Sequence, residues 1–314
     1  MPLSEISYPC KIDNSMQPAM FRRAVSQGPR PLVVALHTWS YDHSGHYDTY
    51  CAAAEKWDYH LIFPKFRGPN WLPAGCGSDM VVSDLEDAVA FMKAECDVDP
   101  DRVYLVGGSG GGHCSLLLAG RRPDLWSAVS SWCPISDIKA WHEQCKGTVH
   151  EGYADHIESA CGGDPSCSEE AAFQCALRSP LTWLVNARRA GLSVDINTGI
   201  HDGHTGSVPV SQAFNAFNVL ADANDRFSDS EIDYIVREEK IPAGLEYPET
   251  DKAFGEHTVL LRRQSASARM TLFEGSHNIF PFVAFEWLSR QSGTTAPDWN
   301  TGDAIETGSG ELSK

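Results

Sequence analysis

Short apolar runs recur along the chain and alternate with longer amphipathic stretches. Runs rich in Val, Ile, Leu and Phe and bounded by polar residues are typical of buried strands. Six such runs cover residues 32–36, 60–63, 103–106, 128–132, 194–200 and 270–273. Two earlier segments, around 6–12 and 19–24, predict an antiparallel lead-in. Because the strands alternate with helices, we predict an α/β fold with a mostly parallel central sheet flanked by helices.

One helix is predicted with defined ends, over residues 83–96. Its apolar positions recur at helical spacing and form one stripe: Leu85, Ala88, Val89, Met92 and Cys96. Ser83 and Glu86 match a capping box, which places the predicted start of the helix at Ser83.

Two stretches are longer than ordinary connections, at about 134–190 and 215–267. Insertions of this kind lie over the carboxyl edge of a parallel sheet, where ligands bind. We find no internal repeat and predict one domain over residues 1–293, with a flexible tail over 294–314.

Ten cysteines are present, and four cluster in the first insertion: Cys145, Cys161, Cys167 and Cys175. They lack a Cys-x-x-Cys pair, so we predict no metal site there. One or two disulfides would stabilise a segment with little core of its own, which predicts a cysteine-bearing cap and a secreted or periplasmic protein. A cytoplasmic protein with free thiols is the alternative.

Charge narrows the classes of partner. The 314 residues carry a formal net charge of −17, from 25 basic and 42 acidic side chains. This charge disfavours nucleic acid and anionic membrane surfaces. No apolar run reaches the roughly 18 residues needed to span a bilayer, and the first residues do not resemble a signal peptide. The oligomeric state cannot be predicted.

The segment Gly107-Gly108-Ser109-Gly110-Gly111 carries the main chemical signal. It lies between an apolar run that predicts a strand and one that predicts a helix. Gly-x-Ser-x-Gly in that setting is the nucleophile elbow of serine hydrolases. The alternatives are a flexible loop or a phosphate-binding turn.

A serine nucleophile needs a base, and the base needs an orienting carboxylate. In α/β-hydrolases the chain order is Ser, then acid, then His. Asp202 follows the predicted strand 194–200, and His277 follows the last predicted strand. The rival acid, Asp137, is better explained as a helix N-cap. We predict Ser109, Asp202 and His277 as the catalytic residues.

The backbone N–H of Gly110 is the first predicted donor to an oxyanion. The second is the N–H of Trp39, after the first central strand. Of the remaining histidines near these motifs, His113 and His201 are predicted to be structural, and His204 is a candidate substrate contact.

The motifs together resemble the catalytic domain of the prolyl oligopeptidase-like (S9-type) α/β-hydrolases, which include peptidases and carbohydrate esterases. They occur in order as Phe66-Arg67-Gly68-Pro69-Asn70, the Ser109 elbow, Arg178-Ser179-Pro180, Asp202 before Val208-Pro209, and Gly275-Ser276-His277. The resemblance implies the same three catalytic residues. Only about 30 residues precede the first central strand, so we expect no β-propeller in front of the catalytic domain. This departure and the cysteine-rich insertion weaken a peptidase assignment.

These observations predict a serine hydrolase of carboxylic esters that needs no cofactor. Tryptophans suit sugar or aromatic esters, and Trp71, Trp141 and Trp183 are candidate substrate contacts, although core packing explains them equally well. We expect a small-molecule or oligosaccharide ester as substrate, carrying acetyl or feruloyl groups. The alternatives are a peptidase or amidase of the same mechanism, and a non-catalytic binding module.

Overall fold

The central sheet has nine strands in the part of the chain that the structure describes. A computed structural model describes residues 3–45, 48–247 and 251–300. The strands are β1 Ser4–Pro9, β2 Met16–Arg22, β3 Arg30–Leu36, β4 His60–Pro64, β5 Val98–Gly108, β6 Ala128–Trp132, β7 Ser193–Gly199, β8 Val259–Ser265 and β9 Ala268–Phe273. They lie in the order β1-β2-β4-β3-β5-β6-β7-β9-β8. Pairing is parallel from β4 to β9 and antiparallel at both edges.

Helices cover both faces of this sheet. They are α1 Asp48–Lys56, α2 Asp79–Glu95, α3 Gly110–Arg121, α4 Ile138–Cys145, α5 Glu151–Cys161, α6 Glu169–Arg178, α7 Leu184–Ala190, α8 Ser211–Leu220, α9 Asp229–Glu238 and α10 Pro281–Leu288. On one face α2, α3 and α8 bury Leu85, Leu116 and Phe214. On the other, α1 and α10 bury Tyr50 and Phe285. The predicted α/β architecture is confirmed, since both faces of a parallel sheet must be covered.

One predicted helix start is wrong, and one predicted insertion contains a strand of the sheet. Helix α2 begins at Asp79, and the side chain of Ser78 caps it by accepting from the N–H of Val81. Val81 is fully buried, so the apolar stripe extends one turn before the predicted start at Ser83. The stretch 215–267 is not simply an insertion, because it contains β8, which pairs antiparallel with β9.

The first insertion, residues 134–190, is helical and packs beside the carboxyl edge of the sheet. Its helices α4 and α5 share a buried cluster with Trp39, Cys76 and Val208. All ten cysteines are free, so the predicted disulfides are absent. Cys145, Cys161 and Cys175 are buried as small apolar side chains, which gives this segment a core without cross-links. The export that those disulfides suggested stays a prediction.

The chain after α10 is partly packed. Trp299 stacks on Trp287 with ring centroids 5.5 Å apart, and the N–H of Asp298 donates to the side-chain oxygen of Gln291. Residues 301–314 of the predicted flexible tail lie outside the described residues. Among the helices that the structure describes, none has the length and apolarity needed to cross a membrane.

Candidate active site

Five neighbouring parallel strands end at one edge of the sheet. In sheet order these are β3, β5, β6, β7 and β9. The turns that follow them carry Trp39, Ser109, Cys133, Asp202 and His277 respectively. Four of these residues are predicted site residues, and the topology brings their turns to the same edge.

Ser109 lies at the tip of a tight turn between β5 and α3. Its backbone adopts φ 57° and ψ −120°, a strained conformation for a residue with a Cβ. The strain is held from both sides, because the Ser109 N–H donates to the Trp132 carbonyl at 2.9 Å and the Ser109 carbonyl accepts from the His113 N–H at 2.8 Å. The turn has the predicted strand–elbow–helix form.

Gly110 and Trp39 approach each other closely beside this serine. A Cβ on Gly110 would lie 2.5 Å from both the backbone N and the Cα of Trp39, so only glycine allows the two turns to meet. The first N–H groups of a helix have no intrahelical acceptor, and Gly110 begins α3. In the described residues the N–H of Trp39 also donates to no acceptor. Two unpaired backbone N–H groups next to a serine suit an oxyanion hole.

The Trp39 turn is held from behind by Asn70. The Asn70 N–H donates to the Trp39 carbonyl at 2.9 Å, and the Asn70 side-chain oxygen accepts from the Cys76 N–H at 3.1 Å. Arg178 on α6 donates to the carbonyls of Pro73 and Gly75 in the same loop. Sequence reasoning noticed Asn70 and Arg178 only as parts of motifs, whereas here they fix the backbone that carries one predicted donor.

Asp202 and His277 are paired. The Nδ1 of His277 lies 2.7 Å from Oδ2 of Asp202, while Oδ1 accepts from the N–H groups of Gly203 and Val208 at 3.0 Å. A carboxylate only accepts hydrogen bonds, so the pairing puts the imidazole proton on Nδ1 and leaves the lone pair of Nε2 free. The carboxylate of Asp202 is fully buried and the His277 side chain is 12% exposed.

The loops that carry this pair are locked together. A Cβ on Gly206 would collide with Oδ1 of Asp202 and lie 2.8 Å from Cβ of His277. The hydroxyls of Thr205 and Ser276 are 2.6 Å apart. Among the described residues no hydrogen bond joins the Ser109 hydroxyl to His277. Catalytic hydrogen bonds often tighten only when substrate binds.

Cys133 is a neighbour of this pair that sequence reasoning missed. It directly follows β6, has φ 44°, and its thiol lies 3.4 Å from the Asn278 carbonyl. One ligand atom each from Cys133, Asp202 and His277 lies within 4.8 Å of the others. Burial, and then the charge of Asp202, raise the pKa of the Cys133 thiol well above its ordinary value. Its position directly after a central strand is the signal that could have found it.

Other residues predicted near the site have structural partners. The Nε2 of His113 lies 2.7 Å from the Arg178 carbonyl, and burial lowers the pKa of His113 to about 4, so the ring is neutral. His204, a candidate substrate contact, donates from Nε2 to the Val236 carbonyl at 2.6 Å. Asp137 caps α4 by accepting from the Ala140 N–H, as predicted.

The three candidate tryptophans have different surroundings. Trp141 is 1% exposed, packs edge-on against Trp39 with centroids 4.8 Å apart, and donates to the Ser207 carbonyl. It therefore supports the Trp39 turn instead of lining a pocket. Trp183 packs on Arg121 and Gly120 at the far end of α3, about 17 Å along the helix from Ser109 at 1.5 Å per residue. That distance removes it from the predicted substrate contacts.

Trp71 lies beside an open cavity near the Trp39 turn. Its ring centroid is 4.7 Å from that of His156. The cavity has a volume of about 310 Å³ and is lined by Ser40, Val149, His150, Gly152, Tyr153 and His156. Ser40 directly follows Trp39, and no Asp, Glu, Lys or Arg lines the space. Exposed apolar side chains lie at or next to its lining residues, at Val149 and Tyr41, and Leu72 next to Trp71 is exposed as well.

The sequence model of the prolyl oligopeptidase family matches residues 66–228, just over half of the chain. The chain belongs to this family. The match spans Asn70, the Ser109 elbow, Cys133 and Asp202. A search of curated proteins found no match.

Solved structures similar to the chain share the α/β-hydrolase fold. An acylaminoacyl peptidase from Pyrococcus horikoshii aligns over 96% of this chain and 43% of its own, with 13% identity and a TM-score of 0.64. A structure from a study of two prolyl endopeptidases aligns over 68% of this chain and 31% of its own, with 18% identity and a TM-score of 0.52. The chain thus spans less than half of either protein. Family and fold together support a serine hydrolase.

Proposed function

We propose that this protein hydrolyses carboxylic esters through a covalent acyl-enzyme on Ser109. The observation that carries the proposal is the 2.7 Å pairing of His277 with buried Asp202, at the sheet edge where Ser109 occupies a strained elbow. Nε2 of His277 accepts the proton of Ser109 as its Oγ attacks the acyl carbon. The same proton then passes to the leaving alcohol, and water repeats the sequence to release the acid.

Gly110 and Trp39 stabilise the negative charge that develops on the acyl oxygen. Their backbone N–H groups are fixed before substrate arrives, because α3 and the Asn70 hydrogen bonds hold them. Donors that need no reorganisation contribute more to catalysis than mobile ones. Asp202 keeps the proton of His277 on Nδ1 and stabilises the imidazolium.

An acetyl or feruloyl ester of a carbohydrate is the substrate class that we propose. The cavity beside Trp39 is uncharged, and Tyr153, His156 and Trp71 offer flat rings at or beside it. Such rings pack against sugars and aromatic acyl groups. Hydrolysis of short peptides or amides is the second candidate, favoured by the family match and by the peptidases among the structural neighbours.

The first test is turnover of p-nitrophenyl acetate. Ser109→Ala should lower kcat by at least about 10⁴-fold, because the nucleophile is lost. Ser211→Ala, a half-buried serine at the start of α8, is a matched control and should retain activity. Unchanged turnover in the Ser109 variant would overturn the assignment.

A parallel screen separates the substrate classes. Acetylated xylan, feruloyl esters and chromogenic peptide amides are assayed with the wild-type protein and Ser109→Ala. Higher kcat/KM on the carbohydrate esters supports the esterase, and higher kcat/KM on the peptides supports the second candidate.

A further inference from the structure

The Cys133 thiol lies against the predicted acid–base pair, and nothing in the proposed hydrolysis uses it. Cys133 and Asp202 are 0% and 1% exposed. A sulfur, a carboxylate oxygen and an imidazole nitrogen from Cys133, Asp202 and His277 lie within 4.8 Å of one another. Two of the three residues are buried and the third, His277, is mostly so, unlike the exposed acidic groups that commonly gather on protein surfaces.

This donor set suits a zinc-like ion. Zn²⁺ binds cysteine sulfur, histidine nitrogen and carboxylate oxygen, with bonds that place tetrahedral ligand atoms about 3.3–3.7 Å apart. Nδ1 of His277 and Oδ2 of Asp202, now 2.7 Å apart, would have to separate by less than about 1 Å, and the donors of the cluster lie within 4.8 Å of one another. Asp202 is already oriented, because two backbone N–H groups hold Oδ1 and leave Oδ2 toward His277.

We propose that Cys133, Asp202 and His277 form a binding site for Zn²⁺, and that the bound ion inhibits the protein. The Cys133 thiol would release one proton to water, and the ion would take its sulfur, an Asp202 oxygen and Nδ1 of His277 as ligands. The proton on Nδ1 would then move to Nε2. Protonated Nε2 cannot accept the proton of Ser109, so inhibition follows from the tautomer that the ion imposes.

A second group of possible ligands, His142, Glu158 and Asp164, is a weaker candidate. The ammonium of Lys146 lies 2.5 Å from Oδ2 of Asp164, so an ion there would have to displace a bound cation. It provides a useful comparison, because zinc acting at that group would depend on His142 and not on Cys133.

The inhibition experiment titrates Zn²⁺ against turnover of p-nitrophenyl acetate. We expect micromolar inhibition that EDTA reverses, and each variant is normalised to its own rate without metal. Cys133→Ala should raise the half-inhibitory concentration roughly tenfold or more, because the soft ligand is lost. Cys133→Ser, which keeps the size of the side chain, should also raise it. Cys10→Ala, a buried thiol after the outer strand β1 and five strands away from β6 in the sheet order, should not. Equal inhibition of the Cys133 variants, dependence on His142, or no inhibition of wild type would overturn the proposal.

The effect on turnover rests on the proposed function, so binding is measured separately. Co²⁺ alone is titrated into Ser109→Ala, which keeps all three ligands but is expected to be inactive. A thiolate-to-cobalt absorption band in the near ultraviolet, saturating at one ion per chain, is expected. The band should disappear when Cys133→Ala is added. A band that persists without Cys133, or no band at all, contradicts the site whether or not the protein hydrolyses esters.

Discussion

Ser109 is held by its backbone, not by a hydrogen bond from its side chain to His277. The Trp132 carbonyl and the His113 N–H fix the elbow on both sides, and this keeps a strained residue in place at a modest energetic cost. The backbone that carries the hydroxyl is thus in place before any substrate is present. Asp202 is likewise fixed by backbone groups, because two backbone N–H groups donate to its Oδ1.

Gly206 allows the close packing around Asp202 and His277 to be tested by adding a single methyl group. Gly206→Ala adds a methyl group that would collide with Oδ1 of Asp202 and crowd Cβ of His277. We expect kcat on p-nitrophenyl acetate to fall by about 10²-fold, since small misplacements of catalytic groups carry costs of that order. Thermal unfolding, followed in parallel, separates loss of geometry from loss of the fold.

Gly293→Ala is the matched control for that variant. A Cβ at Gly293 would meet nothing closer than the Ser127 hydroxyl at 3.3 Å, and the residue lies after α10, away from the site. Activity should be unchanged. Equal activity of the two variants would mean that Gly206 does not constrain the pair.

The loops after β7 and β9 are joined by His201 as well as by direct contact. Its Nδ1 lies 2.5 Å from Glu239 at the end of α9, and its Nε2 lies 2.7 Å from Glu274 on the loop that carries His277. The ring of His204 also faces Glu239, at 3.7 Å. Hydrogen bonding to Glu239 is the main cause that raises the pKa of His201, and Glu274 raises it further. Only the protonated ring can donate to both carboxylates.

Stability should therefore depend on pH through His201. A raised folded-state pKa contributes stability that is fully present below the ordinary value of 6.5 and is lost as pH rises through the folded value. Wild type should exceed His201→Gln in its free energy of unfolding by more at pH 6 than at pH 9, as measured by urea denaturation. Glu239→Gln in the wild-type background should reduce this pH dependence. A difference in the free energy of unfolding between wild type and His201→Gln that is constant with pH would contradict the pairing of protonated His201 with Glu239 and Glu274.

The secondary-structure elements that the sequence predicted correctly are those set by short stretches of residues. The apolar runs of β3 to β7, the Ser109 elbow and the Asp137 cap all follow from short stretches of sequence. The start of α2 did not, because Ser78 and Ser83 both suit an N-cap and only the burial of Val81 decides between them. Edge strand β8 was missed because charged residues interrupt its apolar pattern.

The site shows the same division between local and long-range information. Chain order and strand ends suggested Asp202 and His277, which the structure pairs. The role of Trp141 as support for Trp39, the remoteness of Trp183 and the position of Cys133 depend on contacts between distant segments. A single sequence contains no direct sign of such contacts, so composition alone could not tell core tryptophans from candidate substrate contacts.

At the scale of the whole molecule, the net charge of −17 predicts a negative field around the protein, while no Asp, Glu, Lys or Arg lines the cavity. The kcat/KM of an anionic ester such as 4-nitrophenyl succinate should rise about two- to tenfold between ~20 and ~200 mM NaCl, because salt screens the repulsion. The kcat/KM of neutral p-nitrophenyl acetate should change little. An equal change in kcat/KM for both substrates would show that the negative field does not affect how often the anionic ester reaches the protein.

The five site residues lie far apart along the chain, between positions 39 and 277, and come from five adjacent strands. Pairing of these strands brings together residues that are distant in sequence. Such contacts form slowly, because the entropy cost of closing the intervening loop precedes the stabilisation that the contacts provide. No half of the sheet contains the whole constellation. Under the proposed function, ester turnover would therefore report on completion of the central sheet as a unit, and a chain stalled with β9 undocked would keep the Ser109 elbow and lack His277.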